Sequence, residues 1–364
     1  MKKLFTFFIF LCGALFCLFA CSPLDEDSTG GGNANTDETV VKGVGYVYSE
    51  ENGGYVVSDI KAVLNGEVTV DATCQGKNVV GIGKDAFKGK TKLVSVTLPE
   101  GISFLGENAF SGCTALKSVS LPESLESIGV SAFEGCTALE NIEIPYGVTA
   151  IGAGAFKGCS SLLAVDLPML LKEIGNEAFA YCTSLSEIFL PSGLKNVGEF
   201  AFEACSSLSA VEIPASIKQL GVGAFYGCYR LENVTLPYGM KKIDDWTFMN
   251  CAALKEIVLP ESLTVIGEGA FSGCTALTVI TVPYYVTTIG AQAFKDCSAL
   301  SYVWLQTTML ERIGFEAFMN CTSLVKIGFF SSTTLWQSIS KGTDWNKNTG
   351  DYYTSCSNGL LYKQ

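Results

Sequence analysis

A motif that recurs every 23 residues constrains the fold of this chain more than any other feature. The segment LGENAFSGCTALKSVSLPESLES (105–127) is followed at once by IGVSAFEGCTALENIEIPYGVTA (128–150), and the pattern continues to about residue 330. One such unit is too small to enclose a core, so its apolar positions must be buried against neighbouring copies. The sequence therefore predicts a stack of coils rather than a globule with a single closed core.

Three columns of apolar residues run through about eleven coils. Phenylalanine recurs from Phe87 to Phe318, and leucine recurs from Leu93 to Leu324. The third column holds cysteine from Cys113 to Cys321, with Lys90 in its place in the first coil. Such invariance in a repeat indicates positions that are fixed by packing between coils, with the phenyl rings lying one above another.

Each coil contains one clear strand pattern. In LKSVSLP (116–122), Val119 and Leu121 alternate with Ser118 and Ser120, which predicts a short strand with the apolar residues inward. Equivalent strands of successive coils should pair in parallel, about 4.8 Å apart. Nine of the ten prolines follow such strands, where the missing N–H group ends the pairing.

The Ile-Gly and Ala-Phe pairs of each coil predict the opposite wall of the stack. Glycine fills ten of eleven positions after the isoleucine column, with Asp244 as the exception. This predicts a tight turn or a positive φ at glycine. The Ala-Phe pair that follows predicts a short helical turn.

Composition and charge exclude several functions. The chain of 364 residues carries a net charge of −12 and has a pI near 4.6, which disfavours a nucleic-acid partner. It has no histidine, so Ser-His-Asp and Cys-His catalysis and histidine-bearing metal sites are ruled out. We predict no catalytic residue, no metal site and no cofactor, and classify the protein as non-enzymatic.

The cysteine column invites two other interpretations, a metal cluster and a ladder of disulfides. Metal sites use clustered spacings such as C-x₂-C, which the sequence lacks. Stacked cysteines would also have parallel Cβ vectors that suit a disulfide poorly. Buried thiols that act as small apolar side chains are the favoured interpretation. Cys74 and Cys356 lie outside the column, and their redox state is left open.

The N-terminal residues predict export and anchoring. Residues 1–20 have two lysines and a long apolar run, which is typical of a signal peptide, although a membrane helix is the alternative. Leu18-Phe19-Ala20-Cys21 resembles a bacterial lipobox, which predicts lipidation of Cys21. Residues 21–40 then form a flexible lipoprotein tether. Its Asp25-Glu26-Asp27 run resembles a surface-export signal, and a merely solvated linker is an equal alternative.

Both ends of the repeat are predicted to be covered, because terminal coils would otherwise expose an apolar face. Residues 41–81 are predicted to form an N-terminal β cap, and residues 82–330 the solenoid. Residues 331–364 are predicted to form a C-terminal cap hairpin, because about 35 residues are too few for an independent domain.

The pattern IGxxAFxxCxxLxxVxLP at this period resembles the bacterial leucine-rich repeats of the BspA surface-antigen type, which treponemal proteins also carry. The resemblance covers about residues 81–364. It implies an α/β-type leucine-rich repeat solenoid with a parallel β-sheet on one face, short helical turns opposite and β caps at both ends. It also implies a cell-surface or outer-membrane lipoprotein and, by analogy, adhesion or protein binding.

The outward strand positions are the candidate binding face. Acidic residues gather there at Glu143, Asp166, Glu187 and Glu212. Aromatic residues stand on the same face or just after the prolines, at Phe189, Tyr302, Trp304, Tyr146, Tyr238 and Tyr284. Ordinary strand propensity and a solvated charged face would also explain this set. The paired carboxylates lack the enclosing pocket that glycosidase chemistry needs.

Three functions remain open at this level. The first is binding of a host or bacterial surface protein through the exposed β face. The second is carbohydrate binding by the aromatic residues, and the third is a structural spacer or antigen without a dedicated ligand. The sequence does not choose the ligand or the oligomeric state.

Overall fold

The computed structural model describes residues 38–61 and 66–363. Over this range the chain winds into a β-solenoid of about 13 turns, which confirms the predicted stack of coils. The predicted signal peptide, Cys21 and almost all of the predicted tether lie outside the described residues.

The N-terminal strands begin the stack. They are β1 (Thr39–Val41), β2 (Val44–Ser49), β3 (Gly54–Ile60), β4 (Glu67–Thr69), β5 (Thr73–Cys74) and β6 (Lys77–Ile82). Strands β1, β2 and β3 pair antiparallel, and β3 then pairs in parallel with β6. Thr39 and Val40, which were predicted to belong to the flexible tether of residues 21–40, are thus part of a paired strand. Lys90 of the first coil forms an ion pair of 3.2 Å with Asp59 of β3, which ties this hairpin to the stack.

The coils that follow carry short strands on two walls. In chain order these are β7 (Ser95–Thr97), β8 (Phe104–Leu105), β9 (Ser118–Ser120), β10 (Ser127–Ile128), β11 (Asn141–Glu143), β12 (Ala150–Ile151), β13 (Ala164–Asp166), β14 (Glu173–Ile174), β15 (Glu187–Ile188), β16 (Asn196–Val197), β17 (Ala210–Glu212), β18 (Asn233–Thr235), β19 (Lys242–Ile243), β20 (Val265–Ile266), β21 (Val279–Val282), β22 (Thr288–Ile289), β23 (Tyr302–Leu305) and β24 (Arg312–Ile313).

The last turn ends the stack with a hairpin. It comprises β25 (Lys326–Phe329), α1 (Thr333–Ser338), β26 (Ser340–Lys341), β27 (Tyr353–Cys356) and β28 (Gly359–Tyr362). Strands β26 and β27 continue the two walls in parallel, and β28 pairs antiparallel with β27. The ring of Trp345 meets that of Phe318 edge-on at 6.1 Å, so the end of the phenylalanine column is covered by an aromatic side chain.

Two parallel ladders run along the stack. The Pro-side ladder consists of the strands that precede the prolines, for example β11, β13 and β15. The Gly-side ladder consists of the strands that end just before the glycine column, for example β8, β10 and β12. The second ladder was not expected, because the sequence and the resemblance predicted only short helical turns opposite the first sheet.

The corner after the Gly-side ladder is built from β-turns instead of helix. Backbone bonds there span three residues, as from Cys113 N to Phe110 O at 3.1 Å. Left-handed backbone at Asn108 (φ 55°) and Gly112 (φ 72°), repeated in successive coils, keeps a helix from propagating. Within the described residues α1 is the only helix.

The core follows the three columns. Successive phenyl rings from Phe110 to Phe202 stack with centroids 5.1–5.4 Å apart and interplanar angles of 1–8°. The cysteine and leucine columns are buried along their whole length. The prediction that the rings lie one above another is confirmed.

The glycine column has a different cause from the predicted positive φ. No glycine of this column appears among the described residues with positive φ. Instead, a Cβ added at Gly198 would lie 2.5 Å from the backbone nitrogen of Asn176, and one at Gly221 would lie 2.3 Å from the carbonyl carbon of Gly198. Glycine is required because the backbones of adjacent coils approach too closely for any side chain.

The cysteine column consists of free thiols with a common hydrogen bond. Each thiol donates to the carbonyl oxygen of the phenylalanine in the preceding coil, as Cys205 Sγ does to Phe179 O at 3.2 Å. Burial raises the pKa of these thiols, to about 11 at Cys113 and to about 12 at Cys274. The favoured interpretation of a packed thiol column is confirmed, and the hydrogen bond is an addition that the sequence did not reveal.

Candidate functional site

The outward side chains of the Pro-side ladder form a continuous solvent-facing column. Glu143 pairs in register with Asp166, and Glu212 pairs with Thr235. Phe189 stands between these two pairs in the same column and is 77% exposed. The inward neighbours Ile142, Val165 and Val211 are buried, so the alternation that the sequence predicted is confirmed.

The structure brings the four predicted acidic residues onto one patch. Glu187 pairs with Ala164, which places it diagonally beside Asp166 and two residues before Phe189. All four carboxylates are exposed, and none of the ion pairs between described residues involves Glu143, Asp166, Glu187 or Glu212. The patch therefore has uncompensated negative charge around an exposed phenyl ring.

A groove of about 650 Å³ opens within this patch, beside Phe189 and Glu212. Its floor and rim include Ser186, Glu187, Ser209, Ala210, Asn233 and Thr235. No strand pairing joins β15 to β17 here, and the Pro-side ladder has the same kind of interruption between β9 and β11. The sequence predicted the residues of this site but not the groove, since the pattern of the repeat is unbroken across it.

The predicted aromatic pair Tyr302 and Trp304 lies five coils away from Phe189, or about 24 Å at the usual strand spacing. The two rings are parallel within 5°, with centroids 6.4 Å apart. Trp304 is only half-exposed, because its ring lies against Gly328 of the next coil and the Lys326 ammonium approaches its ring to 5.0 Å. This pair and the acidic patch are therefore two separate places on the same face.

The three tyrosines after the prolines do not converge. Tyr146, Tyr238 and Tyr284 are exposed at 61%, 79% and 46%. Tyr146 and Tyr238 are four coils apart, or about 19 Å at the usual strand spacing. Tyr238 and Tyr284 are two coils apart, or about 10 Å. They line the edge of the Pro-side ladder as single rings rather than as one cluster.

Sequence reasoning missed a group of aromatic side chains on the other edge of the stack. Phe200, Tyr226 and Trp246 lie in three consecutive coils at the turns that follow the Gly-side ladder, with ring centroids 6.4 Å apart. Their signal in the sequence is faint. The positions of Phe200 and Trp246 hold small or polar residues in the other repeat coils, such as Asn108 and Gly223.

Asp244, the exception in the glycine column, lies beside this group. It is 3% exposed, and its Oδ1 accepts from Lys242 Nζ at 2.8 Å and from Gln219 Nε2 at 3.2 Å, while Oδ2 has no partner. The Gly-side ladder has no strand at Leu220, between β16 and β19, so its pairing is interrupted beside Asp244. The two coils remain joined at the turns, where Gly223 N donates to Asp245 O at 2.9 Å.

Neither a metal site nor a membrane-spanning helix is present among the described residues. No group of three or more Cys, Asp or Glu side chains is arranged to hold a metal ion. No helix in that part of the chain combines the length and the apolar character that a membrane crossing requires.

The two parallel ladders, the short coils and the outward column define a leucine-rich repeat solenoid. The sequence matches the BspA type leucine rich repeat region in six copies, over residues 73–186, 149–278 and 241–342. Together these matches cover more than half of the chain, and the protein belongs to the BspA-type leucine-rich repeat family.

The chain is also similar to several solved structures. A leucine-rich repeat protein from T. pallidum is 36% identical, with a TM-score of 0.50, and the alignment covers 54% of this chain and 91% of that one. A leucine-rich repeat protein from Bacteroides ovatus is 29% identical, with a TM-score of 0.46 and coverage of 86% and 99%. A leucine-rich cell surface protein from Faecalibacterium prausnitzii is 22% identical, with a TM-score of 0.42 and coverage of 84% and 98%. A comparison with the curated proteins found no matching relative.

Proposed function

We propose that this protein is a non-enzymatic cell-surface binder that holds a host or bacterial surface protein on the Pro-side face. The observation that carries the proposal is the groove beside Phe189, which combines an exposed phenyl ring with unpaired carboxylates. Aromatic anchors at the centre of an interface contribute much of the binding energy, and complementary charge speeds the encounter. The partner should therefore present an apolar side chain flanked by lysine or arginine.

The first experiment measures the affinity of intact cells or of the purified protein for a panel of host-matrix and bacterial surface proteins. We expect Phe189→Ala to weaken binding about tenfold or more, because the ring would be lost from the centre of the contact. Replacing Glu143, Asp166, Glu187 and Glu212 by their amides should slow association and reduce its salt dependence. Val258→Ala is the matched control, since Val258 is 85% exposed in the same outward column, three coils away from Phe189.

Carbohydrate binding is the second candidate, and the parallel rings of Tyr302 and Trp304 support it. It predicts loss of glycan binding in Tyr302→Ala and Trp304→Ala, with little effect of salt. A glycan array that responds to these variants and not to Phe189→Ala would replace protein binding as the proposed function. If both panels were blank for the parent protein, the spacer interpretation would be favoured instead.

Lipid anchoring through Cys21 after removal of residues 1–20 belongs to the same proposal. Its support is the lipobox-like Leu18-Phe19-Ala20-Cys21 and the acidic residues that follow. Protease treatment of intact cells should release the solenoid if the anchor holds it at the outer surface. Full resistance to protease would contradict any role in adhesion.

A further inference from the structure

The aromatic side chains on the turns after the Gly-side ladder form a second exposed surface, on a different edge of the stack from the groove. We call Phe200, Tyr226, Trp246 and Met249 the turn strip. The Phe200 ring stands at 67° to that of Tyr226 and at 32° to that of Trp246. Trp246 is 38% exposed, and the other three side chains are half-buried, so the strip presents ring faces and edges to solvent.

The turn strip occupies backbone positions that large side chains rarely adopt. Phe200 and Trp246 have φ of 53° and 58°, in the left-handed region that disfavours bulky residues. Asn108 has φ 55° at the same position of its coil, which is an ordinary conformation for asparagine. Folding alone would thus favour asparagine or glycine at both places.

The neighbouring coils leave room for the rings. A Cβ added at Gly223 would lie 2.3 Å from the Phe200 ring, and one at Gly269 would lie 2.7 Å from Trp246 Cδ1. Met249 Sδ would lie 3.8 Å from that same added atom at Gly269. Each large ring therefore lies over a glycine of the next coil, and a side chain in either place would displace it.

The surroundings of the turn strip are acidic. The turns that follow the Gly-side ladder between residues 176 and 272 contain no lysine or arginine. They contain five acidic residues, Glu177, Glu199, Glu203, Asp245 and Glu268. Lys157 of an earlier coil pairs with Glu177, and Lys242 lies 3.8 Å from Asp245. No ion pair between described residues uses Glu199 or Glu268, and both side chains are exposed.

From this combination we infer that the turn strip docks a basic segment of a partner protein, with lysine or arginine side chains lying over the rings of Phe200 and Trp246. A cation is attracted to the face of an aromatic ring, and the carboxylates at the rim add to that attraction. A second copy of this chain fits poorly, because it would bring two acidic strips together in a protein of net charge −12.

Binding of an alternating arginine–glycine peptide with a fluorescent label tests the inference, with fluorescence anisotropy at low and at physiological ionic strength. Phe200→Asn and Trp246→Asn should each weaken binding about tenfold or more at both ionic strengths. Asparagine suits this backbone conformation, so the variants should keep the melting temperature of the parent. They also leave every charge in place, which isolates the contribution of the rings.

Val258→Asn is the control on the Pro-side face, because Val258 is 85% exposed there and lies outside the groove, and it should leave binding of the peptide unchanged. The inference would be overturned if both variants of the turn strip bound the peptide as tightly as the parent, or if Val258→Asn weakened binding equally. Capture of neutral glycans by the strip in place of the peptide would also overturn it. These outcomes are independent of the test at the groove, which uses a different face and different residues.

Discussion

At the scale of single residues, the glycine column shows how a backbone contact determines a side chain. Ile-Gly brings two coils together at the Gly-side ladder, and the approach leaves no space for a Cβ. Asp244 breaks this rule and coincides with the interruption of the ladder at Leu220. Replacement of one glycine in this column thus goes together with a local loss of strand pairing.

Gly198→Ala should destabilise the protein by about 1–3 kcal/mol, because the added methyl group must push apart two backbones that cannot yield independently. The measurement is the free energy of unfolding from a denaturant titration. Gly359→Ala is the matched control, since its Cβ would meet only Thr333 Cγ2 at 3.6 Å. Equal stability of the two variants would contradict the close contact.

At the scale of structural elements, the cysteine column makes the stability of the stack depend on pH. Burial raises the pKa of the column thiols above the ordinary value of 9.0, to about 11 at Cys113 and to about 12 at Cys321. Below pH 9 each thiol is protonated in both the folded and the unfolded chain. Above it the unfolded chain releases protons that the folded chain retains, so stability falls as pH rises.

We expect the free energy of unfolding to fall steeply above pH 9, by about 1.4 kcal/mol per pH unit for each thiol that stays protonated in the fold. Cys205→Ala should reduce that slope by the share of one thiol. The Cys205→Ala variant keeps every lysine of the parent, so the contribution of the lysines to the slope cancels when the two proteins are compared. The slope comes from denaturant titrations at several alkaline pH values, and an unchanged slope in the variant would count against a buried thiol at this position.

At the scale of the whole molecule, the sequence was most informative where packing repeats. The phenylalanine, cysteine and leucine columns, which end at Phe318, Cys321 and Leu324, predicted both the stacking of the coils and the burial of these side chains. They could do so because each coil repeats the same contact. The second ladder was missed, because its strands of mostly two residues are too short to produce an alternating pattern.

The site was predicted in part for the same reason. Glu143, Asp166, Glu187, Phe189 and Glu212 were placed on one face, because strand alternation fixes which side chains point outward. The groove was not predicted, since the pattern of the repeat is unbroken across it. The turn strip was missed because its members occupy a corner of the coil that has no strand period.

Regular stacking of the 23-residue coils determines the core and the outward column, and electron spin resonance distances test this stacking most directly. Spin labels at Ser120 and Glu212 span four coils, and labels at Ser120 and Val258 span six, all in one outward column. The chain from Ser22 onward with Cys356→Ser suits the experiment, because the remaining thiols of the described residues are buried. We expect backbone separations of about 19 Å and about 29 Å, in proportion to the number of coils. The stack would be contradicted if the separation did not increase by about 10 Å from the first pair to the second. Broad distributions of the label-to-label distance would contradict it as well.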